Sequence, residues 1–427
     1  METIFALATA SGRAGIAVLR ISGTDAIAVA KGVCGTLPAN RTCAVRSLKS
    51  KTGDLIDQAL ILRFDAPNSF TGENTVEFHT HGSPAVIQAL TSTLGADDRA
   101  RLAEPGEFTR RALENGRLDL SQVEGLAELI DAETEAQRQQ ALRVFSGALT
   151  DKVEKWRASL IRAASLLEVT IDFVDEEVPL DVSPEVAAVL QSVVSALELE
   201  IEGSLIAERV RDGFEVAIVG VPNVGKSTLL NRLAGREAAI TSEVAGTTRD
   251  IIEVRMDLAG LPVTFLDTAG LRDSDDKVEK IGIGRAVERA SSADLRVFLA
   301  NDLDSFLVKP GTDDIVVSPK SDLSGDAHGV SGLTGAGVDT LVDQIQKTLQ
   351  HRVQRGSDAL NERHRSAMES AVAHLLKSQK IIALGADGYD IASEELRIAI
   401  RVLESLVGRI DAENLLDEIF ASFCLGK

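Results

Sequence analysis

Cysteine is scarce in this chain. Cys34, Cys43 and Cys424 are the only three in 427 residues, too few and too odd in number to form a disulfide framework. Positive charge is also in short supply. Lys and Arg total 45 against 65 Asp and Glu, a formal charge of -20, and this excludes a general nucleic-acid coat, which needs clustered cations to release counterions. A local basic patch or a basic partner protein remains open as a route to RNA. Long apolar runs are missing: no stretch of 18 such residues occurs, and Met1-Glu2 opens no positively charged leader. No repeat of 20–50 residues is evident. Together these absences predict a soluble, cytoplasmic protein. The length exceeds one compact domain and predicts two to four, while 44% apolar and 26% charged residues are ordinary globular values.

The pattern changes three times along the chain. Up to about residue 117 it is strand and loop with a few helices. Ile16–Ile21 and Ala59–Phe64 are β-branched or apolar runs bounded by Gly, Asp and Pro, and Ser83-Pro84 opens an apolar helix through Leu94. From Leu120 the period becomes helical. Ser121 and Glu124 have capping-box spacing, Val123, Leu126, Ile130, Ala141, Val144 and Phe145 recur on one face, and a second run carries Val153, Trp156, Leu160, Ala164, Leu167 and Ile171. A further helix is expected near Glu185–Ile206. From Phe214 strands alternate with helices to about Leu349, the signature of a parallel sheet. After a polar hinge around Arg352–Asn361, helices resume, one capped by Ser393 and another opened by Asp411. The economical division is 1–117, 118–212, 213–350 and 351–427, with the third segment an α/β domain inserted into a helical one.

The α/β segment carries the chemistry. Gly220-Val-Pro-Asn-Val-Gly-Lys-Ser227 fits the P-loop, with a strand before it and a helix from Thr228 after it. Its glycines let backbone N–H groups wrap phosphates, and a helix N-terminus adds a positive field. Lys226 reaches the β- and γ-phosphates, and Ser227 offers a hydroxyl to Mg2+. The strand Val263–Asp267 ends in a carboxylate for the metal's water shell and runs into Thr268-Ala269-Gly270. Between them, Gly246-Thr247-Thr248-Arg249-Asp250 can place the Thr248 hydroxyl on the same ion. Base choice rests on two later elements. Strand Ile315–Ser318 leads into Pro319-Lys320-Ser321-Asp322, where Asp322 can accept from the guanine edge but Pro319 stands in the usual Asn position. Val330-Ser331-Gly332-Leu333 supplies backbone to the guanine oxygen.

These motifs resemble the TrmE-Era-EngA branch of translation-factor-type GTPases. Ile4–Ala10, Ile16–Gly23, Asn68–Glu73, Glu104–Arg110 and the terminal Phe423-Cys-Leu-Gly-Lys427 narrow the resemblance to the MnmE (TrmE) family, end to end. The resemblance implies a multidomain α/β protein: an N-terminal α+β folate-binding and dimerisation domain, an α-helical bundle domain, and an inserted Ras-like P-loop α/β G domain. It implies a K+-stimulated GTPase that, with an FAD-dependent MnmG-type partner in a heterotetramer, adds aminomethyl or carboxymethylaminomethyl groups at C5 of the tRNA wobble uridine. The tRNA would be held mainly through the partner. The one-carbon donor would be 5-formyl- or methylene-tetrahydrofolate.

Carried over by motif, the folate site takes Arg20, Glu77, Arg117 (usually Lys) and Lys427. The GTP site takes Asn223, Val224, Gly225, Lys226, Ser227, Thr228, Ser242, Glu243, Val244, Ala245, Gly246, Thr247, Thr248, Asp267, Thr268, Ala269, Gly270, Lys320, Asp322, Ser331 and Gly332. Mg2+ would sit on Ser227 and Thr248, and K+ on Asn223, Ser242, Val244 and Thr247. Leu271 stands where Ras-like enzymes keep a water-orienting Gln, so the family's catalytic Glu, here Glu279, takes that role. Cys424 would take part in the modification. Two other readings stay open: a ribosome-assembly GTPase of the Era/EngA type, which calls for a basic KH-like module that is not evident here, and a non-hydrolysing G-domain scaffold, which Pro319 favours.

Overall fold

The computed structural model describes residues 2–172, 181–221, 223–236, 253–267, 290–302, 309–353, 358, 361–409, 420, 423 and 426. Its contacts divide the chain into two compact units, Met1–Ala127 with Glu404–Lys427, and Glu128–Leu403.

The first unit is built on a six-stranded sheet in the order β3-β4-β5-β2-β1-β6. The strands are β1 (Thr3–Leu7), β2 (Ala14–Ser22), β3 (Cys43–Lys49), β4 (Leu55–Phe64), β5 (Thr75–Gly82) and β6 (Ala100–Leu102). All neighbours are antiparallel except β1 and β6. Alternation sends Leu19, Ile21, Ile61, Val76 and Phe78 to one face, where α1 (Ala26–Cys34) and α2 (Pro84–Gly95) close the core with Val29, Leu90 and Leu94. The opposite face carries Arg20, Glu77 and His79, together with Val45 and Leu60, which lie directly opposite each other in the register. Helix α3 (Glu107–Glu114) is tied down by Arg111, which pairs with Glu73 at 2.9 Å and Glu107 at 3.0 Å. The C-terminal residues belong to this unit. Phe420 packs with Val123 and Phe423, and Gly426 lies so close to β1 that a Cβ there would stand 2.0 Å from the Leu7 carbonyl oxygen.

The helical run after residue 120 differs from expectation at its caps. Helix α4 (Leu120–Asp131) is capped by Asp119, whose Oδ1 accepts from the Gln122 N–H at 2.9 Å, so Ser121 lies inside the helix. The Gln122 side chain returns the bond to the Asp119 N–H at 3.0 Å, making Asp119 and Gln122 the reciprocal pair. The apolar period then continues through a break. A second capping box, Thr134 with Gln137, starts α5 (Glu135–Phe145). Helices α6 (Ala148–Asp172) and α7 (Ser183–Asp212) follow, the latter longer at both ends than its apolar pattern suggests. The Arg365 guanidinium on α11 (Glu362–Ile382) pairs with Glu208 of α7 at 2.7 Å, so helices from both sides of the α/β segment pack together. Ser393 falls inside α12 (Tyr389–Leu406) rather than at its start. The helix expected from Asp411 lies outside the described residues, Phe420 excepted.

The α/β segment forms a five-stranded sheet, β11-β10-β7-β9-β8, from β7 (Phe214–Gly220), β8 (Glu253–Leu258), β9 (Leu261–Asp267), β10 (Leu295–Leu299) and β11 (Ile315–Val317). Only β8 pairs antiparallel. Val216, Ile218, Val263, Phe265, Val297 and Leu299 are buried in its core with Leu229, Leu230 and Leu233 of α8 (Lys226–Ala234) and Leu341 and Ile345 of α10 (Val338–Val353). Both chain crossings into this segment are pinned at Asp294. Its carboxylate pairs with Arg209 near the end of α7 at 2.9 Å and accepts from the Glu215 N–H at 2.9 Å, while its carbonyl accepts from Arg352 at 2.6 Å. The turn between β8 and β9 also reaches the helices: the Ala136 N–H donates to the Gly260 carbonyl at 3.0 Å.

Candidate functional site

Strands β7 and β10 are neighbours whose onward connections run to opposite sides of the sheet, from β7 toward β8 and from β10 toward β11, which opens a crevice at their carboxyl ends. The loop beyond Gly220 enters that crevice. Gly220 is required there, since a Cβ would stand 2.7 Å from the Val224 side chain and 3.2 Å from the Leu299 carbonyl. Asn223 and Gly225 both take positive φ, 62° and 115°, turning the loop tightly before α8. The first turn of α8 therefore presents its free N–H groups to the crevice.

Lys226 is 6% exposed, and its Nζ donates to the Gly220 carbonyl at 2.6 Å and the Val221 carbonyl at 3.2 Å. The ammonium is thus held beneath the loop that wraps it. Burial pushes its pKa down, and the nearby Asp267 carboxylate opposes that shift. Ser227 Oγ donates to Asp267 Oδ2 at 2.8 Å, bringing together a hydroxyl from α8 and a carboxylate from the end of β9. Both are hard oxygen donors of the kind Mg2+ takes directly or through water.

Beside this lies a cavity of about 230 Å3 whose lining includes Thr228, Lys320, Asp322, Leu323 and Leu333. Its floor is assembled from two loops. Lys320 adopts left-handed φ of 54° at the start of α9 (Ser321–Ser324), which sets Asp322 in the first turn. The loop Val330–Leu333 approaches α8 so closely that a Cβ on Gly332 would stand 2.6 Å from the Leu229 nitrogen. Arg232 fixes that loop by donating to the Thr334 carbonyl at 3.2 Å. Leu323 and Leu333 stand at the cavity, 79% and 73% exposed, a pair of apolar side chains suited to a flat ring.

Pro319 fits this frame without loss of backbone bonding. It pairs with Val330 in an isolated parallel bridge whose bonds are carried by its neighbours: the Val330 N–H donates to Ser318 at 2.8 Å, and the Ser321 N–H to Val330 at 3.3 Å. What Pro lacks relative to Asn is therefore the side-chain carboxamide. Restoring it with Pro319→Asn is expected to tighten GDP binding by about 1–3 kcal/mol, the worth of one or two hydrogen bonds. Titration of both proteins with GDP reads this directly, and unchanged affinity would show that the carboxamide has no partner here.

In the first unit, Arg20, Glu77 and Arg117 come together around a second cavity, of about 340 Å3, which Glu77 and Arg117 line with Arg41, Phe64, Ser69, Phe70 and Thr75. Arg20 Nε lies 2.9 Å from Glu77 Oε1, and its guanidinium sits 5.2 Å from the Phe70 ring centre and 5.6 Å from that of Phe108. The other Glu77 oxygen is 3.3 Å from His79 Nε2. Arg20 thus holds the carboxylate in place. Arg41, a lining residue that no motif singled out, was hidden because its place depends on the pairing of β3 with β4 and not on local sequence.

Of the other sequence candidates, Ser242, Glu243, Val244, Ala245, Gly246, Thr247, Thr248, Thr268, Ala269, Gly270, Glu279, Cys424 and Lys427 lie outside the described residues. Among the described residues no cluster of His, Cys, Asp and Glu forms a metal site, and no helix is long and apolar enough to cross a membrane.

Comparison with known proteins covers the whole chain. Residues 3–117 match the family model described as GTP-binding protein TrmE N-terminus, and residues 120–424 that of the MnmE helical domain. The protein named tRNA modification GTPase MnmE from Roseobacter denitrificans is 61% identical over 428 residues, and its namesake from Ruegeria pomeroyi 60% over 428, each match covering 100% of both chains. Among solved structures, Aquifex aeolicus Era bound to GDP and AlF4- is 32% identical over 31% of this chain and 56% of its own, with a TM-score of 0.25.

Proposed function

This chain belongs to the MnmE (TrmE) family of tRNA modification GTPases, and from that premise we propose a K+-stimulated GTP hydrolase that drives C5 modification of the wobble uridine together with an FAD-dependent MnmG-type partner. The observation that carries the reading is the meeting of Lys226, Ser227 and Asp267 at one sheet end, beside a base-sized cavity containing Asp322.

In this reading the N–H groups of residues 223–228 and the Lys226 ammonium receive the phosphates of GTP. Ser227, with Thr248, would hold Mg2+, and Asp267 would accept from its water shell; the ion would supply positive charge to offset that of the phosphates. Asp322 would accept from the guanine N1–H and N2–H2 edge, where adenine presents an opposing lone pair. The Ser331 N–H is already donated to the Ala336 carbonyl at 2.9 Å, so Gly332 would offer its backbone N–H to the guanine oxygen beside Ser331. Asn223, with oxygens from Ser242, Val244 and Thr247, would ligate K+, a fixed cation where charge develops on the transferring phosphoryl group. Glu279 would orient the attacking water.

The N-terminal cavity fits a reduced folate. Glu77 can accept from the donor edge of a pteridine, the Phe64 and Phe70 rings offer apolar walls, and Arg117 offers charge to the carboxylates; Lys427 would add a second cation. The β3–β4 part of the face opposite α1 and α2 supports a homodimer, since the paired Val45 and Leu60 are 62% and 36% exposed there. The net charge of -20 supports a division of labour in which the partner protein holds most of the tRNA.

The K+ assignment is tested by hydrolysis in KCl against NaCl at equal ionic strength. Turnover is expected to be faster in KCl, and Asn223→Ala should erase the difference, because screening alone treats the two salts alike. Equal rates in both salts would remove K+ from the mechanism.

A further inference from the structure

The N-terminal cavity holds two guanidinium groups whose charge no described residue neutralises. Arg63 and Arg111 in the same unit, like Arg20, are each paired with carboxylates: Asp65 for Arg63, Glu73 and Glu107 for Arg111, Glu77 for Arg20. Arg41 and Arg117 line the cavity, and among the described residues neither guanidinium makes an ion pair or hydrogen bond. In a chain with 20 more acids than bases, two unneutralised cations at one mouth are a specific arrangement.

Arg41 is also held in a costly conformation. Its φ of 58° is left-handed, which a residue with a long side chain rarely adopts. The loop is fixed from both sides: the Arg41 N–H donates to the Arg63 carbonyl at 2.8 Å, and Asn40 Oδ1 accepts from the Asp65 N–H at 3.0 Å. Strain retained against a built frame marks ligand clamps. The cavity is therefore polarised. Glu77, only 16% exposed, lies deep, the Phe64 and Phe70 rings are half-buried, and the exposed Arg41 and Arg117 stand at the mouth.

Building on the proposed folate site, we infer that Arg41 and Arg117 form a subsite for the carboxylate tail, and that the protein selects oligo-γ-glutamyl tetrahydrofolates over the monoglutamate. Each added γ-linked glutamate brings one more carboxylate to a mouth that carries two forks able to bind carboxylates in bidentate fashion. The ring system is read by the deep end, independently of tail length.

Calorimetric titration of the full-length protein with tetrahydropteroate, tetrahydrofolate monoglutamate and tetrahydrofolate pentaglutamate tests this. The pentaglutamate is expected to bind about tenfold or more tightly than the monoglutamate, with the ratio shrinking as salt rises. Arg41→Asn, whose new side chain tolerates left-handed φ, should remove most of that ratio and leave tetrahydropteroate affinity unchanged; Arg41→Lys should restore part of it. Equal affinity for the mono- and pentaglutamate, or an undiminished ratio in Arg41→Asn, would overturn the tail subsite while the folate site stands. Failure of all three compounds to bind would overturn the folate site and the tail subsite with it.

Discussion

Lys226→Ala is expected to abolish high-affinity GTP binding while leaving the fold intact. The lysine is the one described cation held beneath the phosphate loop, 6% exposed and bonded to the Gly220 and Val221 carbonyls. Truncating one partner of a buried, charge-assisted contact costs about 3–5 kcal/mol, or a factor of roughly 10²–10³ or more in affinity. The sheet should survive, because its core is made by β7 to β11 with the apolar faces of α8 and α10. Equilibrium binding of a fluorescent GTP analogue, with circular dichroism as the folding control, measures both halves of the expectation. Sub-micromolar binding by the variant would contradict the P-loop assignment.

Glu279→Ala is expected to do the reverse, lowering kcat by about 10²–10⁴ with GTP affinity nearly unchanged. Leu271 follows Asp267-Thr-Ala-Gly270 and cannot position water through an apolar side chain, so hydrolysis needs a polar group from elsewhere in the chain. The carboxylate assigned that task acts only as water attacks, and its loss should not be felt in the bound ground state. Single-turnover hydrolysis at saturating GTP separates the two quantities. An equal loss in affinity would place Glu279 among the binding residues instead.

The two effects differ in how visibly the chain announces them. The phosphate loop could be read because its requirements are local: strand, glycine turn and helix must follow one another within a dozen residues. The same holds for Asp267 at the end of a β-branched strand. Capping was harder, because Asp119, Ser121 and Thr134 are all good cap residues and apolar periodicity does not stop at a one-turn break. Only the reciprocal bonds of Asp119 with Gln122 and of Thr134 with Gln137 decide where the helices begin. Ser393 was misplaced for the same reason: a cap-type residue inside a helix looks like a start until its neighbours are seen.

Features made by distant partners left no local trace. Asp294 gathers Arg209, the Glu215 N–H and Arg352 from three separate segments, and no spacing rule joins them. Gly332 and Gly426 are demanded by close approach to Leu229 and Leu7, contacts that exist only once the chain has folded. Arg41 belongs with them. Pro319 shows the opposite lesson: the sequence raised an alarm that the fold partly answers, because the bridge to Val330 never uses the N–H donor that Pro lacks.

The central claim, that this GTPase acts on the wobble uridine of tRNA, is tested most directly by nucleoside mass spectrometry of bulk tRNA from a strain lacking the gene, complemented with wild type or with Lys226→Ala. The deletion should lose aminomethyl- and carboxymethylaminomethyl-type C5 modifications. Wild type should restore them, and Lys226→Ala should not. Full modification in the deletion strain, or full restoration by the nucleotide-binding variant, would contradict the account.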